Sequence, residues 1–444
     1  MKKSVVTVLS AGIALSLAAA GCSTSGGNNS SGDTGSANNT ANSSANSNAG
    51  GGGEKVTLNI FQFKVEIADA MTRLKADYEK ENPNVTLNIE TMGGGADYSA
   101  GLKAKFASGQ EPDIFNNMGN SELTTWIDKV EDLSDQPWVG DVLDAAKEPI
   151  TRDGKIYGMP VGIEGYGFIY NKDLFEKAGI TELPKTLSEL EAAAKKLQDA
   201  GITPFSNGYQ EWWVLGNHNF NVALANQDDP AALIQGLNEG KGGLSGNAVV
   251  DNWFKLLDLT LKYSNKNPLT TDYNTQVTLF ASGKTAMMQQ GNWTQVQIDG
   301  ITKDMNIGVL PMPIDDSEKS GNIMVGVPNN WVINKNSKNK EAAKDFLNWL
   351  ATSETGKRYI VEEFKFIPAL KSIEVKDEKV LGAIATDIMK YSQEGKTSGW
   401  YFSQMPDGVP QEVGAEMQAY VAGKVDKAGL IKNIEAKWKS MAVK

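Results

Sequence analysis

The stretch VTLNIFQFKVEIADAMTRLKADYEKENPNVTLNI (residues 56–89) sets two short apolar runs on either side of a helical period. Residues 56–63 read as a strand with a mixed apolar pattern. Ile67, Met71, Leu74 and Tyr78 then recur at spacings of 4, 3 and 4, the face of a helix that stops before Pro83. VTLNI (85–89) predicts a second strand, Tyr98, Leu102 and Phe106 a second helix closed near Gly109, and PDIF (112–115) the start of a third strand. Strand, helix, strand, helix, strand is the order of a mostly parallel sheet flanked by helices, an α/β fold.

The same grammar continues downstream. Thr186 with Glu189 forms a capping box for a helix carrying Leu187, Leu190 and Leu197, which Gly201 ends. Ala342, Phe346 and Trp349 mark one C-terminal helix, and Leu430, Ile434, Trp438 and Met441 another. In open α/β sheets ligands sit beyond the carboxyl ends of the strands, so the loops after residues 63, 115 and 163 are the places to look for a site.

The beginning of the chain has a different character. Lys2 and Lys3 precede an apolar run from Val5 to Ala20, the pattern of a secretory signal peptide over residues 1–21. The run is too short and too rich in Ala and Ser for a retained membrane span. Ala19, Ala20 and Gly21 before Cys22 resemble a bacterial lipobox, with Ala19 where Leu is usual. That resemblance implies cleavage before Cys22 and a diacylglycerol on its sulfur, and two acyl chains give stable anchoring. Cys22 is the single cysteine, so a disulfide has no partner and a free thiol is the rival reading. Ser23 to Gly53 consists of Ser, Gly, Asn, Thr and Ala with one charge, Asp33. Residues 22–54 are therefore expected to form a flexible tether with a reach of about 30 Å.

Residues 55–444 are enough for about two lobes. A formal charge of −11 and the lack of a basic run argue against a nucleic-acid partner. Only Arg73, Arg152 and Arg358 offer a guanidinium fork for carboxylates or phosphates. The lone His218 and Cys22 make no His/Cys metal cluster, and His218 reads as a structural or surface residue. GLSGN (243–247) is no nucleophile elbow, and SGKTAM (282–287) lacks the first glycine of a phosphate loop because residue 278 is threonine. No cofactor is implied.

Three segments carry a resemblance. VGIEGYGFIYNKDLFEKAGI (161–180), FASGKTAMMQQGNWT (280–294) and VGVPNNWVINKNSKNKEAAKDFLNWL (325–350) resemble the family 1 extracellular solute-binding proteins, with ASGQEPDIF (107–115) fitting the same pattern. This family comprises the sugar-binding, maltose-binding-protein-like subunits of ABC importers. It implies a two-lobed periplasmic-binding-protein-like fold of type II, with discontinuous lobes joined by a hinge. Crossings are expected near 162–165, 326–330 and 364–372, with lobe 1 at 55–162 and 329–368 and lobe 2 at 163–328 and 369–444.

A sugar offers apolar ring faces to an aromatic side chain and a rim of hydroxyls to planar Asp, Asn, Glu or Gln groups. Several loops pair the two: QEWW (210–213), GNW (291–293), PNNW (328–331) and SGWYF (398–402). Glu211, Trp212, Asn292, Trp293, Asn330, Trp331 and Trp400 are accordingly candidates, each tryptophan either packing a lid or stacking on ligand. Trp126, Trp138, Trp253, Trp349 and Trp438 read as structural. The resemblance adds Glu164, at the place of a sugar-contacting glutamate or of a hinge hydrogen-bonding group, and matches Trp293 to a stacking tryptophan and Trp400 to a C-terminal aromatic. Gln62 and Lys64 after the first strand, and Asn116 and Asn117 after PDIF, are where lobe 1 would contact ligand.

The expectation is a monomeric receptor, lipid-anchored outside the membrane of a Gram-positive cell, that delivers a neutral di- or oligosaccharide to an ABC permease. A peptide or polyol ligand is the alternative within that class. A surface glycoside hydrolase is the rival outside it, and would need two carboxylates flanking the bond, of which no pair is identifiable.

Overall fold

The computed structural model describes residues 55–442. The expected signal peptide, Cys22 and the tether lie outside the described residues. No helix among the described residues is long and apolar enough to cross a membrane.

The strands of the main sheet are β1 (Val56–Gln62), β2 (Val85–Thr91), β3 (Ile114–Asn117), β4 (Met159–Asn171), β5 (Thr203–Ser206), β6 (Thr285–Gly291), β7 (Ile307–Leu310), β8 (Ile323–Ile333) and β9 (Thr397–Gly399). Helices α1 (Ala68–Glu81) and α2 (Tyr98–Ala107) connect the first three, as their periodicity predicts, and α3 (Asn120–Trp126) follows β3. The spatial order is β2-β1-β3-β8-β4-β6-β5, with β9 beside β8 and β7 beside β4. Pairing is parallel at β1/β2, β1/β3, β5/β6 and β8/β9. It is antiparallel where β8 and β4 join the halves. The sheet is therefore parallel toward each edge and antiparallel at its centre.

The apolar side chains separate into two large cores, one for each lobe of an α/β fold. Leu58, Ile60, Leu74, Ile114, Trp331 and Phe346 belong to the smaller, and Phe168, Phe205, Trp253, Met287 and Trp438 to the larger. On the opposite face of the first lobe's sheet, Phe61, Phe115 and Trp126 form a third, small cluster, as the pleat of alternating side chains requires. Two strands serve both lobes. In β4, Met159 and Val161 pack in the smaller core while Tyr166 and Phe168 pack in the larger. In β8, Ile323 and Met324 pack in the larger and Trp331 and Ile333 in the smaller.

Their register slips between Gly326 and Asn329. Pro328 has no N–H to give the ladder there, and such an irregularity bends the strand. The third connection meets β4 where the Ile163 N–H donates to the Ile367 carbonyl at 2.7 Å. Ala369, Leu370 and Ile373, which lie past the expected lobe boundary at 368, pack in the smaller core. The Leu143 N–H holds the Ala369 carbonyl at 2.9 Å. Leu381 is the next large side chain of this segment in the larger core.

Helix Leu187–Asp199 carries both halves of the capping box read from Thr186 and Glu189. The tryptophans read as structural take that place: Trp126 and Trp138 in the first lobe's clusters, Trp253 and Trp438 in the larger core, Trp349 against the smaller one.

Candidate functional site

A cavity of about 180 Å³ lies between the lobes. It sits beyond the carboxyl ends of β1, β2 and β3, which supply Phe63 to Glu66, Gly93 and Gly94 with Tyr98, and Met118 with Glu122. The second lobe supplies Trp212, Trp213, His218, Tyr273, Trp293 and Trp400, and the crossing strands contribute Glu164 and Pro328. The loop after β2 was not among the expected sites. The volume is below the roughly 300–1,000 Å³ of drug-sized ligand pockets, so a chain of several sugar rings must extend beyond the enclosed part or meet a wider cleft.

Glycines let the aromatic walls approach the strands. A Cβ on Gly326 of β8 would lie 2.6 Å from Trp400 Cγ, and one on Gly291 at the end of β6 would collide with the Trp293 ring. Trp293 opens a helical turn after β6, and its Nε1 donates to Gln290 Oε1 at 2.9 Å. Gln290 Nε2 donates in turn to Gln276 Oε1 at 2.7 Å, and Gln276 Nε2 to the Ser206 carbonyl at 2.8 Å. This relay ties the ring to the strand ends of the second lobe.

At the centre is a buried charge cluster. Lys64 Nζ lies 2.5 Å from Glu164 Oε1 and 3.5 Å from Glu66 Oε1, and 5.3 Å from the centre of the Trp293 ring. Burial opposes the Lys64 charge, but Glu164 and Glu66 outweigh it and hold the ammonium protonated, its pKa above the usual lysine value. Burial likewise raises the Glu164 pKa, with Lys64 pulling the other way. His218 stacks on Tyr166 at 4.4 Å and lies 5.1 Å from Trp293 and 5.5 Å from Trp400. Burial, aided by the Lys64 charge, lowers its pKa to about 3, so the imidazole is neutral at physiological pH. Glu122, half-buried, is raised to about 7 by burial, with the Met118 N–H opposing and Asp407 adding to the shift.

Of the residues expected at the site, Lys64, Glu164, Trp212, Trp293 and Trp400 line the cavity. The remaining ones surround it or lie elsewhere. Gln62 folds over the Lys64 backbone, accepting its N–H at 2.6 Å and donating to its carbonyl at 3.0 Å. Asn116 accepts the Phe63 N–H at 3.0 Å and donates to Asn329 at 2.6 Å. Asn117 accepts the Gly119 N–H at 2.8 Å, and Asn330 donates to the Asn117 carbonyl at 3.0 Å. Asn292 accepts the Gly165 N–H of β4 at 2.9 Å. Glu211 accepts the Tyr273 N–H at 3.1 Å. These amides and this carboxylate brace the loops that bear the lining side chains. Trp331 points away, stacked on Phe346 at 5.7 Å in the smaller core, because the pleat of β8 sends it there.

His218, read as structural or surface, lines the cavity with its neighbour Asn217; a helical turn, Val214–Asn219, brings both there. Five buried polar atoms of lining residues have no hydrogen-bond or ion-pair partner: Asn217 Oδ1, His218 Nδ1, Tyr273 Oη, Trp400 Nε1 and Gln411 Oε1. Among the described residues no group of three His, Cys, Asp or Glu side chains could hold a metal ion.

Contacts also join the lobes around the cavity. Trp213 Nε1 donates to the Gly94 carbonyl at 3.2 Å, Asn120 Nδ2 to Ser403 Oγ at 2.9 Å, and Ser121 Oγ to the Gln404 carbonyl at 2.9 Å. Lys103 and Asp407 pair at 2.6 Å.

A family model described as bacterial extracellular solute-binding protein matches residues 64–357. The multiple sugar-binding protein of Streptococcus mutans is 22% identical over 315 residues, 69% of this chain and 73% of that protein. The melibiose/raffinose/stachyose-binding protein MelE of Bacillus subtilis is 24% identical over 306 residues, 65% of this chain and 68% of its own. Among solved structures, the solute-binding protein RafE in complex with raffinose superposes with a TM-score of 0.76 at 22% identity, covering 88% of this chain and 100% of that one. A Bacillus licheniformis sugar transporter in complex with stachyose gives 0.72 at 21% identity, over 87% of this chain and 100% of the other.

Proposed function

Because the chain belongs to the bacterial extracellular solute-binding proteins, a family of binding proteins and not of enzymes, we propose that it captures a neutral di- or oligosaccharide between its lobes and delivers it to an ABC permease. The observation that carries this reading is the set of five unpartnered buried polar atoms on an aromatic-walled cavity. A buried donor or acceptor left unpaired costs about 1–3 kcal/mol. A ring of hydroxyls relieves several at once while its C–H faces lie on Trp293 and Trp400. The names of the relatives, multiple sugar-binding and melibiose/raffinose/stachyose-binding, point to the same class of solute. Ligand binding then draws the lobes together, and the closed form is the one the permease accepts. The receptor acts as a monomer outside the cell membrane of a Gram-positive bacterium, tethered through a lipid on Cys22.

A thermal-shift screen of the purified protein against mono-, di- and oligosaccharides, polyols, amino acids and peptides tests the ligand class. A ligand at 100 times its Kd that binds only the folded state adds about 2.7 kcal/mol. The expected result is a shift with di- or oligosaccharides that disappears in Trp293→Ala. A shift with peptides and none with sugars would overturn the sugar. Mass spectrometry of the cell-derived N-terminus tests the anchor, which an unmodified Met1 would refute.

A further inference from the structure

The cleft carries more negative charge than its ammonium balances. Among the described residues lining it, Glu66, Asp97, Glu122 and Glu164 are carboxylates and Lys64 is the one lysine or arginine. Lys64 is committed to Glu164 and Glu66. Glu122, in the first turn of α3, stands apart from that cluster. Its Oε2 accepts the Met118 N–H at 2.7 Å, and its Oε1 has no hydrogen-bond or ion-pair partner among the described residues. Lys103, whose charge it feels, is bound to Asp407.

Of the unpartnered atoms around the cavity, Trp400 Nε1 is a donor and Tyr273 Oη donates or accepts, while the rest lean the same way as the charge. Asn217 Oδ1 and Gln411 Oε1 are acceptors, and the neutral His218 offers another when its proton is on Nε2. Asn217 and His218 are 8% and 6% exposed, so these are built features of the wall. A ligand that brings extra donors and a positive charge therefore fits better than one that brings acceptors and a negative charge. An ammonium on a carboxylate makes a charge-assisted hydrogen bond, stronger than a neutral one, and the aromatic walls favour a cation further. A uronate carboxylate would meet an excess of acidic groups and no uncommitted cation.

Resting on the reading that the cleft holds a sugar, and departing from it only in the ligand's charge, we propose that Glu122 determines specificity: the cleft prefers an amino-substituted sugar to its hydroxyl counterpart, with the ligand ammonium on the Glu122 carboxylate, and excludes uronates.

Calorimetric titration with maltose, cellobiose and melibiose, each compared with its 2-amino-2-deoxy and uronate analogues, tests this. The amino member of whichever backbone binds should bind about tenfold or more tighter than the hydroxyl member, a gap that 0.5 M salt narrows. The uronate should give no heat. Glu122→Gln, whose amide oxygen can still accept the Met118 N–H, should close the gap between the amino and hydroxyl members. Glu122→Asp, charged but one methylene shorter, should leave part of it. Equal or weaker binding of the amino sugars, or an undiminished gap in a folded Glu122→Gln protein, would overturn the assignment while leaving the sugar reading intact. Silence from all nine probes and from every sugar of the thermal screen would instead remove the sugar reading, and this inference with it.

Discussion

Lys64, just past the end of β1, reaches Glu164 in the middle of β4 at 2.5 Å, with 6% and 3% of the two side chains exposed. The pair ties the first lobe's cavity-lining loop to a strand that runs through both lobes, and Glu66 adds a second carboxylate 3.5 Å from the same ammonium. Removing one partner of a buried pair leaves an uncompensated charge.

Lys64→Met strands two carboxylates at once and should cost about 3–5 kcal/mol of unfolding free energy. Glu164→Gln leaves Lys64 with Glu66 and should cost distinctly less. Urea denaturation of the two variants and the double variant checks this. Equal losses for the two single changes would show that Glu66 does not share the lysine.

The two cavity tryptophans should respond differently to loss of the indole N–H. Trp293 Nε1 is bonded to Gln290, whereas Trp400 Nε1 has no partner. Trp293→Phe should therefore lower stability by about 1 kcal/mol. Trp400→Phe should leave the melting temperature nearly unchanged and weaken ligand binding, since that N–H is free to meet a ligand oxygen. Melting curves with ligand titrations separate the two, and a stability loss in Trp400→Phe equal to that of Trp293→Phe would refute the distinction.

Cross-cleft bonds should govern release. Trp213→Phe deletes the bond to Gly94, and Asn120→Ala with Ser121→Ala deletes those to Ser403 and Gln404. At about 0.5–1.5 kcal/mol for each bond, the Asn120/Ser121 pair should speed ligand dissociation by roughly tenfold. Stopped-flow fluorescence gives the rate, and small-angle scattering should register a more extended particle. An unchanged rate would mean that closure rests on ligand contacts alone.

Glu122 gives a pH dependence whose sign follows from its raised pKa. Burial holds it at about 7 in the fold against 4.5 for the free carboxyl. The folded state therefore binds the proton more tightly than the unfolded one, so its contribution is full below about 4.5 and is lost as pH rises toward about 7. Met118 N–H and Lys103 oppose the shift, and Asp407 adds to it. Glu122→Gln cannot ionise, so its stability relative to the parent should improve steadily from pH 5 to pH 7. Parallel pH–stability curves for the two proteins would contradict the shift.

Much of the frame is local and was legible in the chain. The apolar period of Ile67, Met71, Leu74 and Tyr78 needs only a helix with one buried face, and all four are buried on one core. The capping box at Thr186 likewise lies within one turn. The two cores follow from such faces, because a helix stripe or a sheet face has to be covered by something apolar.

The site was legible only in part, because orientation is set by distant neighbours. Trp293 and Trp331 both follow an asparagine in sequence, yet one opens a turn at the cleft and the other stacks on Phe346. Nothing near either residue separates them; the pleat of β8 and the end of β6 do. Asn116, Asn117 and Gln62 have the right chemistry for hydroxyls, but their amide oxygens are taken by backbone N–H groups of adjacent loops. His218 stands alone in the sequence with no pattern to mark it. It becomes a cavity wall because the turn at Val214–Asn219 lays it on Tyr166. The sequence by itself determined the elements, their faces and the family pattern, since these depend on spacing within one segment. The tertiary structure alone decided which polar groups stay unpaired in the cleft, because a hydrogen bond is spent or saved by whatever residue the fold brings within 3 Å or so.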